Sequence, residues 1–376
     1  MSSGDTLDDA SQLELADPGG MLPAVASAAA QVREAAAVSL EAGVDGLTAE
    51  DLPRSVVVLG MGGSGIAGDV FAAIAGPTCP VPVLSHRGHG LPTWVGAADL
   101  VIAVSCSGHT EETLSALEEA VRRGCRLLVV GAAGSPVEQL AERGRGIFVP
   151  VSQGRQPRAS VFSLVTPLVI AGDALGLLAC SREEVEATAV LLEQLASRHR
   201  PSAETVLNPS KTLALSLQGC LPVVWGSSPL AGVAAYRFAC QLNENSKHPA
   251  VWGVLPEAGH NQIVALDGPF AGGAPPTDIF SDPVDDDEER TRMHLVLLRD
   301  TEEHPQVMRR ALVARDLARS RRVDVSELQA EGSSAFQRIA SLIALADWTS
   351  TYLALAEGLD PTPVAAIDEL KAQVSR

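Results

Sequence analysis

The stretch SVVVLGMGGSG, residues 55–65, decides the fold class. Ser55–Gly60 is a short β-branched run. It ends in Gly60-Met61-Gly62-Gly63-Ser64-Gly65 and passes into an apolar, Ala-rich stretch through Ala75. That order predicts strand, glycine turn and helix in succession. The run is continuously apolar rather than alternating, as in a strand covered by helices on both faces. Outward from it the rhythm repeats. VPVLSH (81–86), LVIAVS (100–105), RLLVVG (126–131) and GIFVPV (146–151) read as strands, with helices over 111–122 and 136–143. Alternating strands and helices predict a doubly wound parallel sheet.

Helical sequence then runs over 160–200, and Pro201-Ser202 marks a linker. The rhythm resumes with LPVVWG (221–226), a helix over 230–245, HLVLLR (294–299), a helix over 306–319 and a strand over 323–328. A long helix over 335–358 and a last one over 363–374 complete the chain. The expected organisation is a flexible tail over 1–20, one α/β domain over 21–200 and a second over 201–376. The acidic run 281–292 reads as a solvated surface loop.

Composition narrows the function. The 376 residues are 46% hydrophobic, enough for two folded cores. Their 28 basic and 46 acidic residues give a net charge of −18. Such a field repels a polyphosphate backbone and argues against a nucleic-acid partner. Aromatics are only 3%, too few for base-stacking platforms. The acidic N-terminus lacks the apolar core of a signal peptide, and the apolar window 161–180 carries Pro167 and Asp173, so no membrane partner is expected. Six cysteines with no C-x-x-C pairing read as thiols in a reducing, cytoplasmic compartment.

Two loops are candidate sites. Gly60–Gly65 matches G-x-G-x-x-G and admits three readings. It is a dinucleotide site, with Arg87 serving an NADP phosphate in the absence of a carboxylate after the second strand. Or it is a phosphate-binding turn, with backbone N–H groups and Ser64 at a helix start. Or it is a tight turn with no ligand. The second loop, Ser105-Cys106-Ser107-Gly108-His109-Thr110-Glu111-Glu112, places the hydroxyls of Ser105, Ser107 and Thr110 before a helix. It reads either as an N-cap cluster or as donors for a phosphate monoester. Two such loops ending neighbouring strands favour a ligand, because ligands bind at the carboxyl edge of such sheets.

Ser-x-Ser-Gly-x-Thr after an apolar strand, with Gly-Met-Gly-Gly-Ser upstream, resembles the sugar isomerase (SIS) domain. Gln156-Pro157-Arg158, Asn243-Glu244-Asn245, His260-Asn261 and Asp360-Pro361-Thr362-Pro363 follow in order. Over nearly the whole chain after residue 60 it resembles the bifunctional phosphoglucose/phosphomannose isomerase family. The resemblance implies two SIS domains and a cytoplasmic homodimer with composite active sites. It also implies a place in carbohydrate metabolism, in glycolysis and gluconeogenesis. The implied activity is metal-independent and cofactor-free interconversion of glucose 6-phosphate, and of mannose 6-phosphate, with fructose 6-phosphate. In that chemistry a base moves a proton between C2 and C1 through an enediolate. By resemblance Glu244 is the base, His260 opens the sugar ring from the neighbouring subunit, Arg158 steadies the enediolate and Lys371 points into the cleft. Gly63, Ser64, Ser105, Ser107 and Thr110 hold the phosphate.

The chain departs from that pattern at four places. His109 stands for the usual Asn, Gln262 for the Glu of His-Asn-Glu, Cys106 for an aromatic and Gly65 for Ala. A neutral Gln262 would remove a carboxylate beside the ring-opening imidazole. These departures motivate the alternatives: a sugar-phosphate-binding SIS protein without catalysis, or an isomerase with altered sugar specificity.

Overall fold

The structure is a computed structural model that describes residues 3–272 and 291–374. The acidic run anticipated over 281–292 lies almost wholly outside the described residues. The chain divides into two compact units. One comprises Ala26–Gln194 with Gly332–Ala340, and the other comprises the residues up to Val25, Leu195–Glu331 and the residues from Ser341 onward.

The first unit holds five parallel strands: β1 (Val56–Leu59), β2 (Val83–His86), β3 (Leu100–Ser105), β4 (Arg126–Gly131) and β5 (Ile147–Pro150). Their order in the sheet is β2-β1-β3-β4-β5. Every residue of β1 and β3 is buried, as continuous apolar runs demand. One face carries the helices Glu111–Arg122 and Pro136–Arg143, whose Ala116, Leu117, Ala120, Val137 and Leu140 pack on Val57, Val101 and Val129. The helices Gly62–Ala75 and Val161–Ala174 pack against each other in the same unit.

The second unit holds four parallel strands: β6 (Cys220–Gly226), β7 (Val251–Val254), β8 (Arg292–Arg299) and β9 (Asp324–Gln329), in the order β7-β6-β8-β9. Its core sets Val223, Trp225, Leu295 and Leu297 against Ala311, Ala314 and Ala318 of the helix Pro305–Ser320. The helix Ala335–Ala356 is apolar and long enough to span a membrane, but 94% of its most apolar window is buried, so it is a core helix.

Three expectations change. Residues Ser3–Asp8 and Ala10–Ala16 are helical where a tail was expected over 1–20, and Leu7 and Leu13 are fully buried. The buried Lys211 ammonium donates to the Leu7 carbonyl at 2.5 Å, and Asp8 accepts from the Thr205 N–H and hydroxyl at 2.7 Å each. The N-terminal segment therefore belongs to the second unit. Next, the helical stretch 160–200 breaks in two, at Val161–Ala174 and Arg182–His199. Gly176, at φ +69°, ends the first helix, and the Leu177 N–H returns to the Gly172 carbonyl. Finally, the helix expected over 230–245 ends at Gln241 and widens into a π-turn, Leu242–Ser246.

Candidate functional site

The order of the first sheet reverses between β1 and β3, which are hydrogen-bonded neighbours. The chain leaves them in opposite directions, so a crevice opens at their carboxyl ends. Both hydroxyl-bearing loops end there. Gly62, at φ +52°, turns the chain into the helix Gly62–Ala75, which puts Ser64 in its first turn. Gly108, at φ +73°, shapes the second loop, and Thr110 is the N-cap of the helix Glu111–Arg122. The Cys106 N–H donates to the Ser64 hydroxyl at 3.2 Å, tying one loop to the other. Ser105 Oγ accepts from the Gly108 N–H at 3.1 Å and lies 3.2 Å from Thr110 Oγ1. Ser107 is exposed at the loop tip. The structure thus brings Ser64, Ser105 and Thr110 into one set of hydroxyls at two helix starts, the equipment for a small anion.

Gly63 explains how Arg158 joins them. A Cβ on Gly63 would sit 3.2 Å from the Pro157 carbonyl oxygen and 3.4 Å from Arg158 Cα. The short turn Pro157–Ala159 can therefore lie directly on the glycine loop. Gln31 fastens that turn by donating to the Ala159 carbonyl at 2.8 Å, and Arg158 is buried.

The departures in this unit have local causes. A Cβ on Gly65 would meet the Arg87 Nε at 2.9 Å, so the missing methyl makes room for the guanidinium. Arg87 in turn ion-pairs with Asp69 of the helix Gly62–Ala75. That pairing takes up the cation that the NADP reading required. The His109 ring folds back so that Nδ1 donates to the Ser107 carbonyl at 2.7 Å, since a carbonyl can only accept. Burial pushes the Cys106 thiol up and keeps it protonated at neutral pH.

Glu244, His260 and Lys371 belong to the second unit. Glu244 is half-buried in the π-turn, and such widened turns recur at functional sites. Asn245 beside it is fully buried and donates to Ser350 Oγ at 3.0 Å. Lys247, at φ +60°, sends its ammonium back to the carbonyls of Glu244 (2.8 Å), Asn245 (3.1 Å) and Pro363 (2.9 Å). Lys247 therefore closes the turn and ties it to the segment before the helix Ala365–Val374, which carries Lys371. Lys371 is exposed on a helix with no buried residue. His260 is exposed after the short turn Glu257–Gly259, its N–H on the Glu257 carbonyl at 2.8 Å. Gln262 turns toward the sheet: it accepts from the Trp225 indole at 2.6 Å and donates to the Trp252 carbonyl at 3.0 Å. The partners of Lys247 and Gln262 lie 116 and 37 residues away, so sequence spacing does not reveal these bonds.

The second sheet also reverses its order, between β6 and β8. Here the chain supplies its own anion. Asp300 Oδ2 accepts from the Ser228 hydroxyl at 2.8 Å, and the Asp300 N–H donates to Ser227 Oγ at 2.9 Å. Ser228 caps the helix Pro229–Gln241 by accepting from the Ala231 N–H. A carboxylate in that crevice disfavours a phosphate there. Among the described residues, no group of three or more His, Cys, Asp or Glu side chains could hold a metal ion.

Comparison with known proteins matches two stretches of the chain to family models. Residues 53–176 match the SIS domain, and residues 207–374 match the bacterial phospho-glucose isomerase C-terminal SIS domain. A bifunctional phosphoglucose/phosphomannose isomerase of Caldicellulosiruptor bescii is 34% identical over 87% of this chain and 91% of its own length. One of the same name from Aquifex aeolicus is 32% identical over 86% of this chain and 91% of its own. A hypothetical protein from Thermus thermophilus has the same fold. It superposes with a TM-score of 0.70 at 16% identity over 99% of this chain and 95% of that one. The two units define a double SIS-domain protein of the sugar-phosphate isomerase class. The chain belongs to the bifunctional phosphoglucose/phosphomannose isomerase family.

Proposed function

We propose that this chain interconverts glucose 6-phosphate and mannose 6-phosphate with fructose 6-phosphate. The observation that carries this proposal is the pair of hydroxyl-bearing loops, joined from Cys106 to Ser64 at the switch point of the first sheet. Gly63, Ser64, Ser105, Ser107 and Thr110 hold the phosphate, and its binding energy positions the carbon centre. Glu244 moves the proton between C2 and C1, and Arg158 steadies the enediolate. The two aldoses differ at C2 and share one planar enediolate, so a single base serves both once the intermediate turns about C2–C3. His260 transfers the ring proton, and Lys371 completes the site.

His260 and Lys371 act in a homodimer with composite sites. Two exposed features support an assembly. Val251 and Trp252 of the edge strand β7 are exposed, with Tyr236 against Trp252 at 4.9 Å between ring centroids. Ile367, Leu370 and Val374 line one face of the helix that carries Lys371, and all three are exposed. The protein works in the cytoplasm, where its six free cysteines stay reduced. It works without a cofactor, metal, nucleic acid or membrane.

Coupled assays on chelator-treated protein test the activity. Turnover of both aldose phosphates is expected, with a loss of about 10³ in kcat for Glu244→Gln, the usual range for a general base. Calorimetric binding of fructose 6-phosphate without turnover of either aldose would replace the isomerase with a non-catalytic sugar-phosphate-binding protein. Turnover of only one aldose, or of another sugar phosphate, would replace dual specificity with an altered one.

A further inference from the structure

We infer that Gln262 is a positioning residue for His260, and that its amide, rather than a carboxylate, is what the site requires. The inference rests on the proposal that His260 transfers the ring proton.

Trp225 lies on β6 and is 1% exposed, so its indole N–H needs a partner inside the protein. Gln262 Oε1 is that partner at 2.6 Å. The other end of the same amide, Nε2, donates to the Trp252 carbonyl of β7 at 3.0 Å. The orientation is fixed by chemistry: an indole only donates and a carbonyl only accepts, so one partner takes the oxygen and the other the NH2. Gly253 leaves space for this bridge, because a Cβ there would sit 2.7 Å from Gln262 Oε1 and 2.9 Å from Nε2. Glutamate would satisfy Trp225 but set a carboxylate oxygen against the Trp252 carbonyl. Leucine would satisfy neither.

The bridge fastens the segment around His260 on one side, and a local clasp fastens it on the other. The His260 N–H sits on the Glu257 carbonyl at 2.8 Å, and Asn261 Nδ2 donates to Glu257 Oε1 at 3.1 Å. Asn261 Oδ1 accepts from the Gln262 N–H at 2.5 Å. His260 is thus held between a turn that is self-contained and one amide that reaches two strands. Removing the amide frees the C-terminal side of the segment and leaves the turn. A general acid or base that loses its fixed orientation loses rate while substrate binding through the phosphate persists.

The test is a kinetic double-mutant cycle with Gln262→Leu, Gln262→Glu and His260→Ala. Gln262→Leu is expected to lower kcat about tenfold with KM within about twofold, the size of an orienting-partner effect. In the His260→Ala background the same substitution should change kcat less than about twofold, because the group it orients is gone. An equal loss in both backgrounds would show a general structural role and overturn the inference, as would an unaffected kcat in Gln262→Leu. Gln262→Glu keeps the acceptor for Trp225 and loses the donor to Trp252, so a kcat as high as wild type would overturn the requirement for an amide. The His260 ring resonances, assigned with the His260→Ala protein, give a readout that needs no turnover. They should shift or broaden in Gln262→Leu, and unchanged resonances would overturn the positioning role. If the wild-type protein turns over neither aldose phosphate, the proposed reaction fails and these resonances alone decide the role of Gln262.

Discussion

The Cys106 backbone N–H donates to the Ser64 hydroxyl across 3.2 Å, so the loops that end β1 and β3 form one structure. Ser64 then has two jobs. Its Oγ accepts from Cys106, and its hydroxyl hydrogen is left to donate to an anion at the helix start. Ser64→Ala removes both. It should raise KM for either aldose phosphate about tenfold, the worth of one hydrogen bond to a charged group, and leave kcat within about threefold. It should also cost about 1 kcal/mol of stability through the orphaned Cys106 N–H. Steady-state kinetics with inorganic phosphate as competitor check the first effect, because the phosphate inhibition constant should rise in step with KM. Urea denaturation checks the second. An unchanged KM would place the phosphate elsewhere.

The second unit repeats the switch point and fills it with Asp300, whose carboxylate accepts from Ser228 and whose N–H donates to Ser227. A carboxylate beside a helix N-terminus is stabilising there. Asp300→Ala should therefore lower the unfolding free energy by about 1–3 kcal/mol, the range for unmade buried hydrogen bonds. With the phosphate held on the Ser64 and Ser105 loops, as proposed, KM for the sugar phosphates should not change. The contrast with Ser64→Ala, measured by the same kinetics and denaturation, separates a binding crevice from a self-satisfied one. A raised KM in Asp300→Ala would sink this assignment.

The strands with continuous apolar runs were legible because burial on both faces leaves no polar alternation, as at Val56–Leu59 and Leu100–Ser105. Strand β7 was not, because Val251 and Trp252 face solvent at a sheet edge and only four residues pair. The N-terminal helices were hidden by their acidic composition, since their fit depends on Lys211 and Thr205 some 200 positions away. The glycine and hydroxyl loops were legible as a candidate site, because a turn after a strand and a helix start are local events. The π-turn at Glu244 was not local in this sense: Lys247 closes it by reaching Pro363. Gln262 raised the concern that a carboxylate was missing beside His260. The structure shows its side chain serving Trp225 and Trp252, a partnership no spacing rule announces.

His199 sets a pH limit on stability. It is 2% exposed, its Nδ1 lies 2.9 Å from Ser210 Oγ, and burial pushes its imidazole down to about 4. The unfolded imidazole titrates at 6.5. Between those values the unfolded chain holds a proton that the folded chain does not, so stability rises with pH across the window. The contribution is complete above 6.5 and is lost as pH falls toward 4. The loss at pH 5 should be about 2 kcal/mol relative to pH 7.5. Urea unfolding at the two values measures it. His199→Gln, which cannot charge, should remove most of that difference, and an undiminished difference would assign the pH dependence to other groups.

The proposed homodimer with composite sites makes a prediction of its own. Glu244→Gln and His260→Ala each disable one proposed role, and each homodimer should be nearly inactive. If His260 serves the partner's Glu244, a hybrid of the two variants contains one site with both defects and one with neither. Random exchange makes half of all dimers hybrids, so the mixture should recover about a quarter of wild-type activity after dissociation and reassociation. If Glu244 and His260 instead serve the same site within one chain, every site in the hybrid carries one defect and no activity returns. Sedimentation of the wild-type protein at assay concentration sets the frame, since a monomer that turns over substrate would rule out the shared site at once. The exposed faces at Trp252 and Leu370 provide the matching structural probe. Charged substitutions there, Trp252→Glu or Leu370→Glu, should shift the protein toward monomer. If the proposed composite site holds, they should lower kcat in proportion to the dimer lost, because a monomer would lack the partner's histidine.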